Sequence, residues 1–106
     1  MKAGGPLVPF PFSDMSQSKL RPAVVLADGG RGDWILCQVT GNPYADARAI
    51  ELRSADLQTG SLLRTSYARP GKLFTANQNL FVSEVGILGA ASLNRILDAV
   101  IRVIRP

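Results

Sequence analysis

Only at its C-terminal end does this chain repeat its apolar residues with the period of a helix. In "SLNRILDAVIRVI", which begins at Ser92, the residues Leu93, Ile96, Leu97, Val100, Ile101 and Ile104 fall on one stripe, because positions three, four and seven apart share a face of a 3.6-residue turn. Everything upstream is cut into apolar runs of strand length by Pro, Gly, Asn and Asp. A chain of 106 residues is one domain in size, and a small sheet and a lone amphipathic helix bury their apolar faces most readily against each other. Ser92 is the expected N-cap of the helix, and Arg102 and Arg105 complement its negative end.

The upstream runs read as short strands. "PLVPFPF", Pro6 to Phe12, is apolar, but Pro9 and Pro11 cannot donate to a ladder, which points to a sheet edge or a bulged entry. "SDMSQSK", Ser13 to Lys19, has no periodicity and reads as an exposed loop that could gate a neighbouring groove. "PAVVLA", Pro22 to Ala27, is followed by the glycine-rich turn "DGGRGD" and then by "WILCQVT", Trp34 to Thr40. "RAIEL", Arg48 to Leu52, alternates as a half-exposed strand. Ser54 is placed to cap one helical turn ending at Gly60. "SLLRTSYARPGKLFT", Ser61 to Thr75, reads as one or two strands broken at Pro70-Gly71. The expectation is mainly β with a C-terminal helix, a single domain over 1–106: about five strands in a small, strongly curved antiparallel barrel closed by the helix.

Composition narrows the chemistry. The chain has no histidine and one cysteine, so the commonest general base and zinc ligand is missing and no internal disulfide can form. Cys37, inside a β-rich run, is expected to be a small buried apolar residue. No metal or other cofactor is implied. The net charge is +4, and of twelve cations nine are arginine, whose planar fork of donors matches phosphate oxygens and stacks on bases. Nucleic acid is the partner that this bias suits. "GGRGD" does not lead a strand into a helix, so it is not a phosphate-cradling loop. No apolar run approaches the roughly 18 residues of a membrane span, and "MKAGG" lacks the apolar stretch of a secretory signal. No membrane association and a cytoplasmic location are expected.

Three places put a functional side chain at the edge of a strand. In Lys19-Leu20-Arg21-Pro22 the proline biases Arg21 toward an extended backbone and so holds its side chain. Thr40 ends "WILCQVT" just before Gly41. In "RTSYAR" Arg64, Ser66 and Tyr67 precede Arg69, which stands next to the break. RNA can be cleaved by its own 2′-hydroxyl if a protein aligns that group and stabilises the charge that develops on the phosphate. An arginine with a threonine or serine hydroxyl is a minimal kit for that task.

Taken in order, "LVPFPFSD", "SKLRPAVVL", "WILCQVT", "SYARPGKLFT" and "VGILGAAS" before a final helix resemble the MazF/PemK family of toxin–antitoxin ribonucleases, over about Leu7 to Ile104. The resemblance implies an SH3-like barrel, a homodimer, metal-independent cleavage of single-stranded RNA at short sequences and inhibition by a cognate antitoxin. It also implies a catalytic pair, Arg21 stabilising the pentavalent phosphate and Thr40 hydrogen-bonding it, with Lys19, Arg64, Ser66 and Arg69 as RNA-binding or auxiliary residues. Two alternatives keep the same barrel: a gyrase-poisoning toxin that cleaves nothing, and a degenerate member that binds without cutting.

Overall fold

The computed structural model describes residues 4–14, 17–43, 45–81 and 83–106, with the backbone only at 12–14 and 17–19. Among these residues seven strands form one curled antiparallel sheet: β1 (Pro6–Asp14), β2 (Gln17–Gly30), β3 (Asp33–Thr40), β4 (Ile50–Leu52), β5 (Leu57–Gly60), β6 (Ser66–Asn77) and β7 (Gly86–Leu88), in the spatial order β4-β6-β3-β2-β1-β7-β5. A single helix, α1 (Ala90–Ile104), packs on β6 and β4. No helix among the described residues is long and apolar enough to cross a membrane.

The β1–β2 hairpin is longer than the sequence suggests. Its ladder runs from Leu7↔Val24 to Asp14↔Gln17, so most of the stretch expected as an exposed loop is paired backbone. Met15 and Ser16, within the stretch expected to gate the groove, lie outside the described residues. Beyond Leu7 the first strand has β2 on one side only; it is an edge there, where Pro9 and Pro11 are tolerated. The next hairpin turns through Arg31 and Gly32, both left-handed at φ 57° and 80°, the two positive φ values that match the twist of the flanking strands.

Two bulges in β2, between Val25 and Ala27 and between Asp28 and Gly30, bend the sheet. A larger one interrupts β6. Val39 pairs with Ala68 and Cys37 with Leu73, so Arg69, Pro70, Gly71 and Lys72 stand opposite Gln38 alone. The break expected at Pro70-Gly71 is thus a bulge inside one strand. At the far edge β5 and β7 approach until Gly60 faces Gly86; a Cβ on Gly60 would lie 2.7 Å from the Gly86 Cα, a distance that only glycine permits.

Alternation along the strands sorts the core into two layers. One face carries Leu7, Val24, Cys37, Val39, Leu52, Ala68 and Leu88 and is closed by Ile96 and its helical neighbours Leu93, Leu97 and Val100. The other carries Val8, Ala23, Val25, Trp34, Leu36 and Ala76, with Phe10, Phe74 and Phe81 packed against it. The helical stripe outruns the sheet: Ile101 and Ile104 are 58% and 72% exposed.

Two capping expectations fail for the same reason. The cap of α1 is Gly89, and Ser92, inside the first turn, donates its hydroxyl to Asp56 Oδ1 at 2.8 Å instead. Asp56 in turn closes a 3-10 turn, Ser54–Asp56, by accepting from the Arg53 N–H at 2.8 Å. The turn then runs into β5 rather than on to Gly60 as a helix. Ser54 serves the neighbouring loop, donating to the Leu62 carbonyl and accepting from the Leu62 N–H.

Candidate functional site

Three strand ends and the segment after β5 border one groove of about 590 Å³. Pro9, Pro22, Val39, Leu62 and Val85 give it an apolar lining, and Arg21, Thr40, Gly41, Asn42, Arg64 and Ser66 supply its polar groups. Topology explains how residues distant in sequence meet. In the β2–β3 ladder Ala23 pairs with Gln38, and two residues further along the same register Arg21 and Thr40 come level on one face. On the other side of Thr40 the partner is Tyr67 of β6, which brings in the segment 61–66.

Each polar group has a distinct state. Thr40 is 2% exposed; its Oγ1 accepts from the Asn42 N–H at 3.2 Å and donates to the Asn42 carbonyl at 3.1 Å. The hydroxyl thereby ties off the Thr40-Gly41-Asn42 turn. Its proton rests on a neutral carbonyl, and an anionic oxygen is the stronger acceptor. Ser66 is buried and donates to the Arg64 carbonyl at 3.2 Å, so it fixes the backbone that carries Arg64.

Arg21 is half-buried and Arg64 exposed, and among the described residues neither guanidinium has a carboxylate partner. Among the described residues they are the only charged ones in the groove lining. Two cations facing one cleft without a counter-ion make a site for an anion between them. A planar guanidinium can meet two oxygens of a phosphate at once.

Gly41 was legible only as a turn residue, yet it shapes this geometry. A Cβ at that position would lie 3.0 Å from Cζ, Nε and Nη2 of Arg64. The missing side chain is what lets that guanidinium lie against the turn held by Thr40. The only signal in the sequence was the run Thr-Gly-Asn after a strand, which many turns share.

The structure brings Arg21, Thr40, Arg64 and Ser66 together and leaves Arg69 outside the groove lining. Arg69 Nε lies 2.9 Å from Asp46 Oδ2, both side chains largely buried, and the Arg69 carbonyl accepts from Cys37 Sγ at 3.2 Å. This ion pair ties the β3–β4 connection to β6. Asp46, held by Arg69 and by the Arg48 N–H, has its carboxyl below the ordinary value. Cys37 is buried as expected, and burial pushes its thiol up to about 12. Lys19 pairs through its backbone with Phe12; its side chain lies outside the described residues.

Neither a protein-family model nor the sequence of a curated protein matches the chain. Solved structures do. An endoribonuclease in complex with its cognate antitoxin, from a mycobacterial species, is 14% identical with a TM-score of 0.75, over 99% of this chain and 96% of that one. MazF from Deinococcus radiodurans is 17% identical with a TM-score of 0.75, covering 99% and 97%. The toxin MazF-mt6 of Mycobacterium tuberculosis is 13% identical with a TM-score of 0.71, covering 94% and 96%. The likeness spans the whole architecture, from the first hairpin to the terminal helix, and the fold of this chain is that of the MazF toxins.

Proposed function

We propose that the chain is the toxin of a toxin–antitoxin pair and an endoribonuclease that cuts single-stranded RNA at its groove. The observation that carries this reading is that Arg21 and Arg64, which have no carboxylate partner among the described residues, line one groove with the buried Thr40. The fold shared with the MazF structures supports the same conclusion.

In this reading the scissile phosphate sits between Arg21 and the Thr40 turn. The ribose 2′-oxygen attacks phosphorus and gives up its proton, the bond to the 5′-oxygen breaks, and that oxygen takes a proton. The products are a 2′,3′-cyclic phosphate and a 5′-hydroxyl. The guanidinium of Arg21 faces the equatorial oxygens as their negative charge grows, which is the interaction that lowers a barrier most when the donors are already in place. The Thr40 hydroxyl turns from the Asn42 carbonyl to a phosphate oxygen. Arg64, seated against Gly41, meets the phosphate from the opposite side. No step requires a metal. The site acts in a homodimer, and an acidic antitoxin segment that folds on the cationic groove blocks it.

The test is cleavage of a mixed-sequence single-stranded RNA in EDTA by the wild-type protein and by Arg21→Ala shown by circular dichroism to be folded. Cutting by the wild type alone, leaving 5′-hydroxyl ends, is expected. Equal cutting by both places the site elsewhere, 5′-phosphate ends contradict the chemistry, and inhibition of gyrase supercoiling without RNA cleavage replaces it with the poison reading.

A further inference from the structure

The sheet face that carries Arg21 and Thr40 continues into a second hollow. Phe10 is the direct cross-strand partner of Arg21, and partners in an antiparallel ladder share a face. Along β3 the same face holds Gln38, two residues before Thr40, and Leu36, whose partner on β6 is Phe74. Phe10, Gln38, Lys72, Leu73 and Phe74 line a depression of about 320 Å³. The two phenylalanine rings meet there, centroids 5.0 Å apart and tilted by 52°. Lys72 is exposed at the rim, and the Gln38 carboxamide is half-exposed.

This combination differs from an ordinary surface hollow in three respects. Aromatic rings offer a platform on which any base stacks. A carboxamide carries a donor and an acceptor side by side, the pattern that pairs with the amino group and ring nitrogen on one edge of adenine. A lysine at the rim suits a phosphate. The hollow lies beside the groove: Phe10 is paired with Arg21, one strand spacing away, about 4.8 Å. A base next to a phosphate held at Arg21 reaches it by turning across one strand.

We infer that the Phe10–Phe74 hollow is a base-binding subsite for the nucleotide flanking the scissile phosphate, stacking the base on the phenylalanines, preferring adenine through Gln38 and holding the adjoining phosphate with Lys72. The inference rests on the proposed RNA cleavage and adds its sequence selectivity. Specificity in single-stranded RNA recognition comes from such splayed, stacked bases read at their edges, and among the described residues of the groove lining the one carboxamide is that of Asn42, an exposed residue at the turn.

The experiment measures binding of fluorescein-labelled 2′-fluoro RNA decamers, which lack the attacking hydroxyl and cannot be cut, by fluorescence anisotropy. Oligo(A) is compared with oligo(C) for the wild type and for Phe10→Leu, Phe74→Leu, Gln38→Ala and Lys72→Ala, alongside cleavage of natural RNA. The leucine variants keep an apolar side chain on the cluster, and each is expected to lose about tenfold in affinity. Gln38→Ala is expected to lose the preference for oligo(A), and Lys72→Ala to flatten the salt dependence by about one counterion. Lys72→Ala and Gln38→Ala carry the test should a leucine variant not fold. Wild-type cleavage with unchanged binding by all four variants overturns the subsite and leaves the nuclease reading intact. A wild type that neither binds nor cuts RNA removes both.

Discussion

The chain contains the dipeptide Arg-Pro twice on the strands that flank β3, at Arg21-Pro22 in β2 and at Arg69-Pro70 in β6. The first lies in a regular stretch of ladder, with Arg21 opposite Phe10 and Pro22 opposite Pro9. Its guanidinium faces a groove and has no carboxylate partner among the described residues. The second lies in a bulge, where Pro70 is buried, the Arg69 carbonyl accepts a hydrogen bond from the Cys37 thiol and the guanidinium is clamped to Asp46. A proline fixes the backbone before it in both. What separates them is the supply of a counter-charge: the β3–β4 connection delivers a carboxylate to one arginine and only a glycine and a backbone-bound hydroxyl to the neighbourhood of the other. A cation left unneutralised in a concave site is available to a ligand; a neutralised one is part of the frame.

The sharpest way to break this comparison is to exchange the losses. Arg21→Ala is expected to lower the rate of RNA cleavage by about 10²–10³-fold, the usual effect of deleting one preorganised donor to a developing anion. It should leave thermal stability within about 0.5 kcal/mol, since no ion pair is lost. Arg69→Ala is expected to do the reverse, costing about 1–2 kcal/mol for a largely buried charged hydrogen bond, measured by urea denaturation, with a smaller effect on cleavage. Equal losses of rate without loss of stability for both would show that the two arginines are not distinguished by Asp46.

Titration sharpens the contrast at the level of the counter-charge. The Asp46 carboxyl is depressed chiefly by the hydrogen bond from Arg69, then by the Arg48 N–H. A depressed carboxylate binds its proton less readily when folded than when unfolded, so its contribution is complete above the unfolded value near pH 4 and fades as pH falls through the lower folded one. Asp56, held by the Arg53 N–H and the Ser92 hydroxyl, shifts in the same direction. Asp46→Asn is therefore expected to be less stable than wild type at pH 7 and to show a flatter stability curve below pH 4. Cleavage is expected to behave differently. Among the described residues the groove lining holds no Asp, Glu, His, Lys, Tyr or Cys, so the rate should rise with pH between 6 and 9 as the 2′-hydroxyl loses its proton more easily, without the bell that an acid–base pair produces. A bell-shaped profile would point to a titrating residue outside this lining.

The same contrast explains what could be read in advance. Arg21 and Thr40 were identifiable because each borders an apolar run whose period is plain in the sequence; Thr40 does end its strand, whereas Arg21 stands inside β2 because the hairpin continues to Gln17. The bulge at Arg69 was not, because four residues opposite one leave no period to detect, and "RPGK" reads equally as a break between strands. The strands β5 and β7 were missed for a related reason. They are four and three residues long and meet at Gly60 and Gly86, residues disfavoured in strands and needed here only because two backbones touch. Ser92 misled because a serine near the start of an apolar stripe has the composition of a cap, whereas its partner, Asp56, is 36 residues away. Local pattern reported the elements; the pairings that hold Arg69 to Asp46 and Ser92 to Asp56 are long-range.

The smallest expected effect falls on the glycine that separates the two cases. Gly41→Ala would put a methyl group 3.0 Å from the Arg64 guanidinium, and because that group is the exposed end of a flexible side chain it can swing away at little cost. Stability should change by less than about 0.5 kcal/mol. Cleavage should fall by about three- to tenfold, the loss expected when a contact to the phosphate is displaced rather than deleted. Arg64→Ala supplies the control: if Gly41 acts only by seating Arg64, the double variant should cut at the rate of Arg64→Ala alone, since two changes on one contact do not add. Multiplying losses would mean that Gly41 shapes the Thr40 turn directly, independently of the guanidinium of Arg64.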